Sequence, residues 1–172
     1  MPFDKDEILP SVQALYDALD PHKLKELDHA IARWKGKPTA LLQVMHVAQE
    51  VFTWLPEGAL ERISRGLDLP RAQVFGFATF YDHFYTDGPA RHTLRICQSI
   101  SCYLRGAPEL IATARKELGV KPGEITPDGG VRFECVSCLG QCDGGPSVSI
   151  DDEPQHGMTP DKLRKLIREL KA

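Results

Sequence analysis

Apolar residues recur every three or four positions through the first half of the chain and every second position through much of the rest. Leu9, Val12, Leu15, Tyr16 and Leu19 make one helical stripe. Asp20-Pro21 then offers an N-cap followed by a proline in the first turn, where its missing N–H costs nothing. Leu24, Leu27, Ala30, Ile31 and Trp34 form the stripe of the helix that follows. Lys35-Gly-Lys-Pro38 breaks that helix and Thr39 is placed to cap another, whose apolar face is Leu41, Leu42, Met45, Ala48 and Phe52. Pro56 and Pro70 open two shorter helices carrying Leu60, Ile63 and Leu67, then Val74, Phe77, Phe80 and Tyr81, with Phe84 just beyond. This last aromatic stripe is expected to pack into the core rather than to touch a cofactor.

The texture changes near Gly88-Pro89. Thr93-Leu-Arg-Ile96 alternates polar and apolar residues as a half-buried strand does, and it delivers Cys97 at its carboxyl end. Gly106 to Leu118 reads as a helix with Pro108 in its first turn. Glu124-Ile-Thr126 and Val131-Arg-Phe-Glu134 flank Asp128-Gly129, whose glycine accepts the positive φ of a tight hairpin turn. Ser147-Val-Ser-Ile150 is a further strand, Asp151-Asp-Glu153 a solvated turn, and Thr159-Pro160 opens a closing helix lined by Leu163, Leu166, Ile167 and Leu170. The predicted fold class is α/β: a helical N-terminal region over residues 1–88, then β, α, β, β, β, α over residues 89–172, a small sheet covered by helices.

Length and composition fit a globular protein able to bury its own core: 172 residues, 42% hydrophobic and 26% charged. The net charge of −3, with acids and bases intermixed, argues against a nucleic-acid partner, which requires a clustered basic face. Met1-Pro-Phe-Asp-Lys-Asp6 has neither the basic nor the apolar region of an export signal, and no apolar run reaches the ~18 residues of a membrane span. A cytoplasmic protein without direct membrane insertion is expected. No dinucleotide fingerprint, Walker-type phosphate loop or His-Glu-x-x-His zinc motif is present, so nicotinamide and flavin must be bound elsewhere.

All five cysteines follow residue 96, and four form two close pairs, Cys97/Cys102 and Cys138/Cys142. Such pairs in looping backbone aim thiolates at metal, and two pairs supply the four thiolates of a [2Fe-2S] cluster. Local chelation orders the loops at least cost, which favours Cys97 with Cys102 on one iron and Cys138 with Cys142 on the other; spacing leaves cross-pairing open. Glycines at 106, 140, 144 and 145 are suited to turning backbone N–H groups toward sulfur. A four-thiolate zinc site in an adaptor module is the structural alternative, and a thiol-disulfide oxidoreductase using Cys135-x2-Cys138 is the enzymatic one. Cys135 ends a predicted strand and is expected to pack as a small apolar group. A Rieske centre is disfavoured, because His92 and His156 are not interleaved with the cysteines.

The motifs Ala78-Thr-Phe-Tyr81 with Phe84, Cys97-x4-Cys102-x2-Arg105-Gly106, Cys138-Leu-Gly-Gln-Cys142 with Gly145-Pro146, and Thr159-Pro160 with Leu163 resemble one family across nearly the whole chain. It is the small thioredoxin-like [2Fe-2S] subunit of the NADH-oxidising module of respiratory complex I, found also in NAD-linked formate dehydrogenases and in bidirectional or bifurcating hydrogenases. The resemblance implies a thioredoxin-like domain after a helical part that docks on a flavin subunit. It also implies ligand roles for Cys97, Cys102, Cys138 and Cys142, one-electron exchange with FMN, and NAD(H) handled by that partner subunit. Through such a complex the chain would be peripheral to a membrane. Cys135 and a short 151–158 segment depart from the commonest pattern, and the parent assembly stays open among those complexes.

Overall fold

The computed structural model describes residues 10–171, so the expectation for Leu9 lies outside the described residues. Two compact units divide the chain, one ending at Pro89 and the other beginning at Ala90. Among the described residues no helix is long and apolar enough to cross a membrane.

Among the described residues the first unit has five helices: α1 (Pro10–Asp17), α2 (Pro21–Trp34), α3 (Ala40–Phe52), α4 (Glu57–Leu67) and α5 (Arg71–Phe80). Asp20 caps α2 by accepting the His22 N–H at 2.8 Å, while Thr39 stands at the N-cap of α3 without a side-chain capping bond. Helix α4 packs on α1, α2, α3 and α5, and places Ala59, Leu60 and Ile63 among Leu27, Val44, Met45, Ala48, Val74 and Ala78. Buried Glu61 is held by Arg65 at 2.8 Å and Arg71 at 3.6 Å, so the one carboxylate in this interior face is paired. Beyond α5, Phe84 and Tyr85 are buried and tied back by Gln49, whose amide accepts the Tyr85 N–H at 2.8 Å.

The aromatic stripe of α5 does not all enter the core. Phe84 is buried and Phe77 packs against the core, but Phe80 is 75% exposed and Tyr81 is also exposed. The physical reason is angular: with Val74 and Ala78 facing inward, Phe80 lies on the opposite side of a helix that turns about 100° per residue.

The second unit is a five-stranded sheet ordered β2-β3-β1-β4-β5, from β1 (His92–Cys97), β2 (Glu124–Ile125), β3 (Val131–Val136), β4 (Val148–Ile150) and β5 (Glu153–Gln155). Between β1 and β2 lie a short helix α6 (Ile100–Leu104) and α7 (Ala107–Leu118); α8 (Pro160–Leu170) closes the unit. Only β1 and β3 run parallel, with His92 opposite Val131 and Cys97 opposite Val136. Leu94, Ile96, Val131, Phe133 and Val148 of the sheet meet Leu110, Ala114, Leu163 and Ile167 of α7 and α8 in one core. Asp128-Gly129 makes the expected turn, Gly129 taking φ +67°.

Two elements leave no signal in the sequence pattern. Helix α6 is too short to show a period, and β5 begins where a solvated turn is expected. Asp151 and Asp152 form that turn alone, both at positive φ, and Glu153 already pairs with Ile150. Asp tolerates the left-handed region better than most residues, and here Asp151 is also anchored through its carboxylate to the Thr93 N–H at 2.7 Å.

Candidate metal centre

The topology of the second unit brings three chain ends to one edge of the sheet. Parallel pairing puts the carboxyl ends of β1 and β3 side by side, and antiparallel pairing puts the start of β4 beside them, Ile96 opposite Val148. Cys97 ends β1, Cys102 follows on α6, Cys138 follows β3, and Cys142 opens a single 3-10 turn, Cys142–Gly144, ahead of β4. Backbone bonds fasten the junction: Cys97 N–H to the Ser147 carbonyl at 3.0 Å and Gln98 N–H to the Val136 carbonyl at 2.9 Å.

Within this frame the thiols meet in the two expected pairs. Cys97 and Cys102 share a sulfur hydrogen bond, and so do Cys138 and Cys142. The pairs also feel each other. Hydrogen bonding and charge from Cys138 push the Cys142 thiol up, burial adds to this, and the charges of Cys102 and Cys97 add further. Four thiolates so close repel one another, and positive metal charge is what relieves that repulsion.

The inner pair, Cys97 and Cys102, is buried with Ala107 and Leu139 around it, whereas Cys138 and Cys142 are exposed. Burial alone raises the Cys102 thiol, but hydrogen bonds from Ser147, the contact with Cys97 and the Arg105 charge outweigh it and leave the pKa lowered. The Ser147 N–H donates to Cys102 Sγ at 3.4 Å, and the Ser147 hydroxyl donates to the Gln141 carbonyl at 2.8 Å. On the other pair, the Gly140 N–H donates to Cys138 Sγ at 3.4 Å. N–H groups aimed at sulfur are the donors that stabilise thiolate and sulfide charge.

Two further observations test the fit to a cluster. A Cβ placed on Gly145 would lie 3.4 Å from Cys102 Sγ, so glycine keeps the backbone close to the sulfur without filling the space beside it. The Gln141 side-chain carbonyl, on the residue before Cys142, is buried without a hydrogen-bond partner; as an acceptor it cannot donate to sulfur. The donor set and its N–H partners fit a sulfide-bridged pair of irons.

Of the four glycines expected to serve sulfur, Gly140 turns its N–H to Cys138, and Gly145 lets the backbone approach Cys102 without donating to it. Gly144 instead packs against the His156 ring, and Gly106 takes φ +101° as the residue before α7. Cys135 packs against the sheet core, and burial pushes its thiol up.

The family profile described as thioredoxin-like [2Fe-2S] ferredoxin matches residues 27–171. The chain belongs to the thioredoxin-like [2Fe-2S] ferredoxin family. Similar proteins include the E-type subunit of the NADH-quinone oxidoreductase of Pseudomonas aeruginosa, 32% identical over 141 residues, covering 82% of this chain and 85% of that one. The corresponding Escherichia coli protein is 31% identical over 145 residues, 84% and 87% of the two chains. That of Aquifex aeolicus is 35% identical over 134 residues, 77% and 84%. In solved structures the fold recurs in an NAD+-reducing [NiFe]-hydrogenase at a TM-score of 0.68 and 24% identity, covering 76% of this chain and 22% of that longer one. The α/β fold with a helical N-terminal region and a thioredoxin-like sheet is therefore that of this ferredoxin family.

Ser147, Gln141 and the reach of Arg105 have no role that the sequence pattern assigns. Arg105 lies within the family motif, and Gly145-Pro146 marks a turn directly before Ser147, but spacing gives no hint that these side chains bridge the two loops.

Proposed function

We propose that this chain is the electron-transfer subunit of an NAD(H)-oxidising or NAD-reducing assembly, carrying one [2Fe-2S] cluster on Cys97, Cys102, Cys138 and Cys142. The observation that carries the reading is the meeting of two thiol pairs at one sheet edge, each pair in internal contact and both in mutual electrostatic range. Family membership and the NADH-quinone oxidoreductase relatives support the same conclusion. When bound, the cluster supplies one-electron redox chemistry. Cys97 and Cys102 hold the inner position beneath Leu139, Ser147 and Gly140 present N–H groups to the ligand sulfurs, and exposed Cys138 and Cys142 face a partner.

The partner in this reading is an FMN- and NADH-binding protein that performs hydride transfer, and the helical first unit provides part of the docking surface. Exposed Phe75, Phe80 and Tyr81 on and after α5 support that assignment, as do exposed Ile100, Tyr103 and Leu104 on α6, the helix that carries Cys102. The zinc adaptor is not favoured, because the chain belongs to a [2Fe-2S] ferredoxin family. The thiol-disulfide oxidoreductase is not favoured either, because Cys135 packs against the sheet core while Cys138 is exposed.

Single substitutions test the ligand set. Cys135→Ala should assemble the cluster with an unchanged visible spectrum, and Cys138→Ala should not. Cluster loss in the Cys135 variant, or retention in the Cys138 variant, would overturn the assignment.

A further inference from the structure

Arg105 ends α6, three residues after Cys102, and its guanidinium reaches the other cysteine-bearing segment. Nη1 donates to the carbonyl of Cys142 at 2.8 Å and to that of Asp143 at 2.9 Å. Its Cδ lies 3.5 Å from where a Cβ on Gly145 would stand, beside Cys102 Sγ. The segments so joined are otherwise separated in sequence by α7, β2 and β3. A charged donor shared by two carbonyls is a strong tether, and because both acceptors are neutral oxygens these bonds do not cancel the cation's charge.

We propose that Arg105 is a positioning residue that ties the two ligand loops into one cluster-accepting shape and places its positive charge beside the thiolates, raising the reduction potential. The proposal rests on the [2Fe-2S] reading above. Reduction adds one negative charge to the site, so a nearby fixed cation favours the reduced state over the oxidised one. Because Arg105 is exposed, the effect is screened by salt and is greatest at low ionic strength.

The test uses the full chain, anaerobically loaded with iron and sulfide, in three forms: native, Arg105→Lys and Arg105→Met. Redox titration followed by electron paramagnetic resonance reads the potential, iron loss to a chelator reads the tether, and far-UV circular dichroism reports folding. Arg105→Met should weaken electron binding about three- to tenfold, tenfold being about 59 mV for one electron. The shift should shrink in high salt, and iron should be lost several-fold faster. Arg105→Lys keeps the charge without the planar fork, so its potential should stay within about twofold of native while iron loss stays fast.

A native potential in Arg105→Met, or the same drop in Arg105→Lys, overturns the charge role. Native chelator resistance in Arg105→Met overturns the tether. A folded Arg105→Met chain that takes up no cluster supports the tether, and the charge role is then read from the native chain, where a potential unmoved by salt overturns it. A native chain that binds no iron and sulfide overturns the cluster reading itself, which separates that failure from failure of the proposal.

Discussion

Ser147 and Ser149 provide a matched pair on which the hydrogen-bond account of the site can be tested. Both lie on the segment entering and forming β4, and both are buried, at 2% and 3% relative exposure. Their hydroxyls differ in one respect. Ser147 Oγ donates to the Gln141 carbonyl at 2.8 Å and lies 3.5 Å from Cys102 Sγ, whereas Ser149 Oγ is buried with no hydrogen-bond partner. Replacement by alanine removes the same atom at nearly the same burial, so the transfer terms cancel between the two variants. For Ser147→Ala the carbonyl of Gln141 loses its partner, a loss of about 1–3 kcal/mol. For Ser149→Ala an unsatisfied hydroxyl disappears, and the change should be neutral or stabilising by up to about 1 kcal/mol.

Urea unfolding of the metal-free chain, followed by far-UV circular dichroism, measures the difference directly. With a slope of about 1–3 kcal/mol per molar urea, the Ser147→Ala midpoint should fall by roughly 0.3–3 M. Ser149→Ala should match or exceed the native midpoint. Equal midpoints in the two variants, or a larger loss at Ser149, would refute the reasoning that the Ser147 bond holds the second cysteine loop against β4.

Three other expectations concern the first unit. Alanine at Gly58 should destabilise by about 1–3 kcal/mol in thermal unfolding, although alanine normally favours a helix, because its Cβ would stand 2.7 Å from the Leu15 carbonyl. A gain in melting temperature would show that α1 gives way freely. Burial, followed by the charge of Glu61, raises the Tyr16 pKa, so its contribution to stability is complete below the ordinary tyrosine value near 10 and is lost as pH climbs through the folded value. Tyr16→Phe should flatten the alkaline limb of the stability profile, and an unchanged limb would reject that cause. Phe80→Glu, at an exposed site, should leave the visible spectrum intact while weakening binding to the flavin partner at least about tenfold by calorimetry; native affinity would remove α5 from the interface.

Periodicity is sufficient where an element has one buried face. The stripe of α2 and the alternation of Thr93 to Ile96 both reappear in the cores, and Asp20 caps α2 as its position before Pro21 demands. It is insufficient where elements are short or where direction matters. Helix α6 is one turn and part long, and β5 contains Pro154 and only polar neighbours, so neither leaves a pattern. Phe80 carries the same hydrophobic label as Phe77, yet only the angular position set by Val74 and Ala78 decides which ring faces water.

The same contrast holds at the candidate site. The four proposed ligand positions stand out in sequence because short spacing suits chelation, whereas their meeting depends on the parallel register of β1 and β3, a contact between distant segments. The Arg105 and Ser147 bridges are likewise products of tertiary placement. Cys135 is readable as a packing residue from its place at a strand end, and its contacts with the sheet core agree.

Iron and acid-labile sulfide, measured on the anaerobically purified chain alongside zinc, test the central claim most directly. Two-iron chemistry predicts equal iron and sulfide, about two of each per chain, with a visible charge-transfer spectrum that bleaches on one-electron reduction. Stoichiometric zinc without sulfide would contradict it.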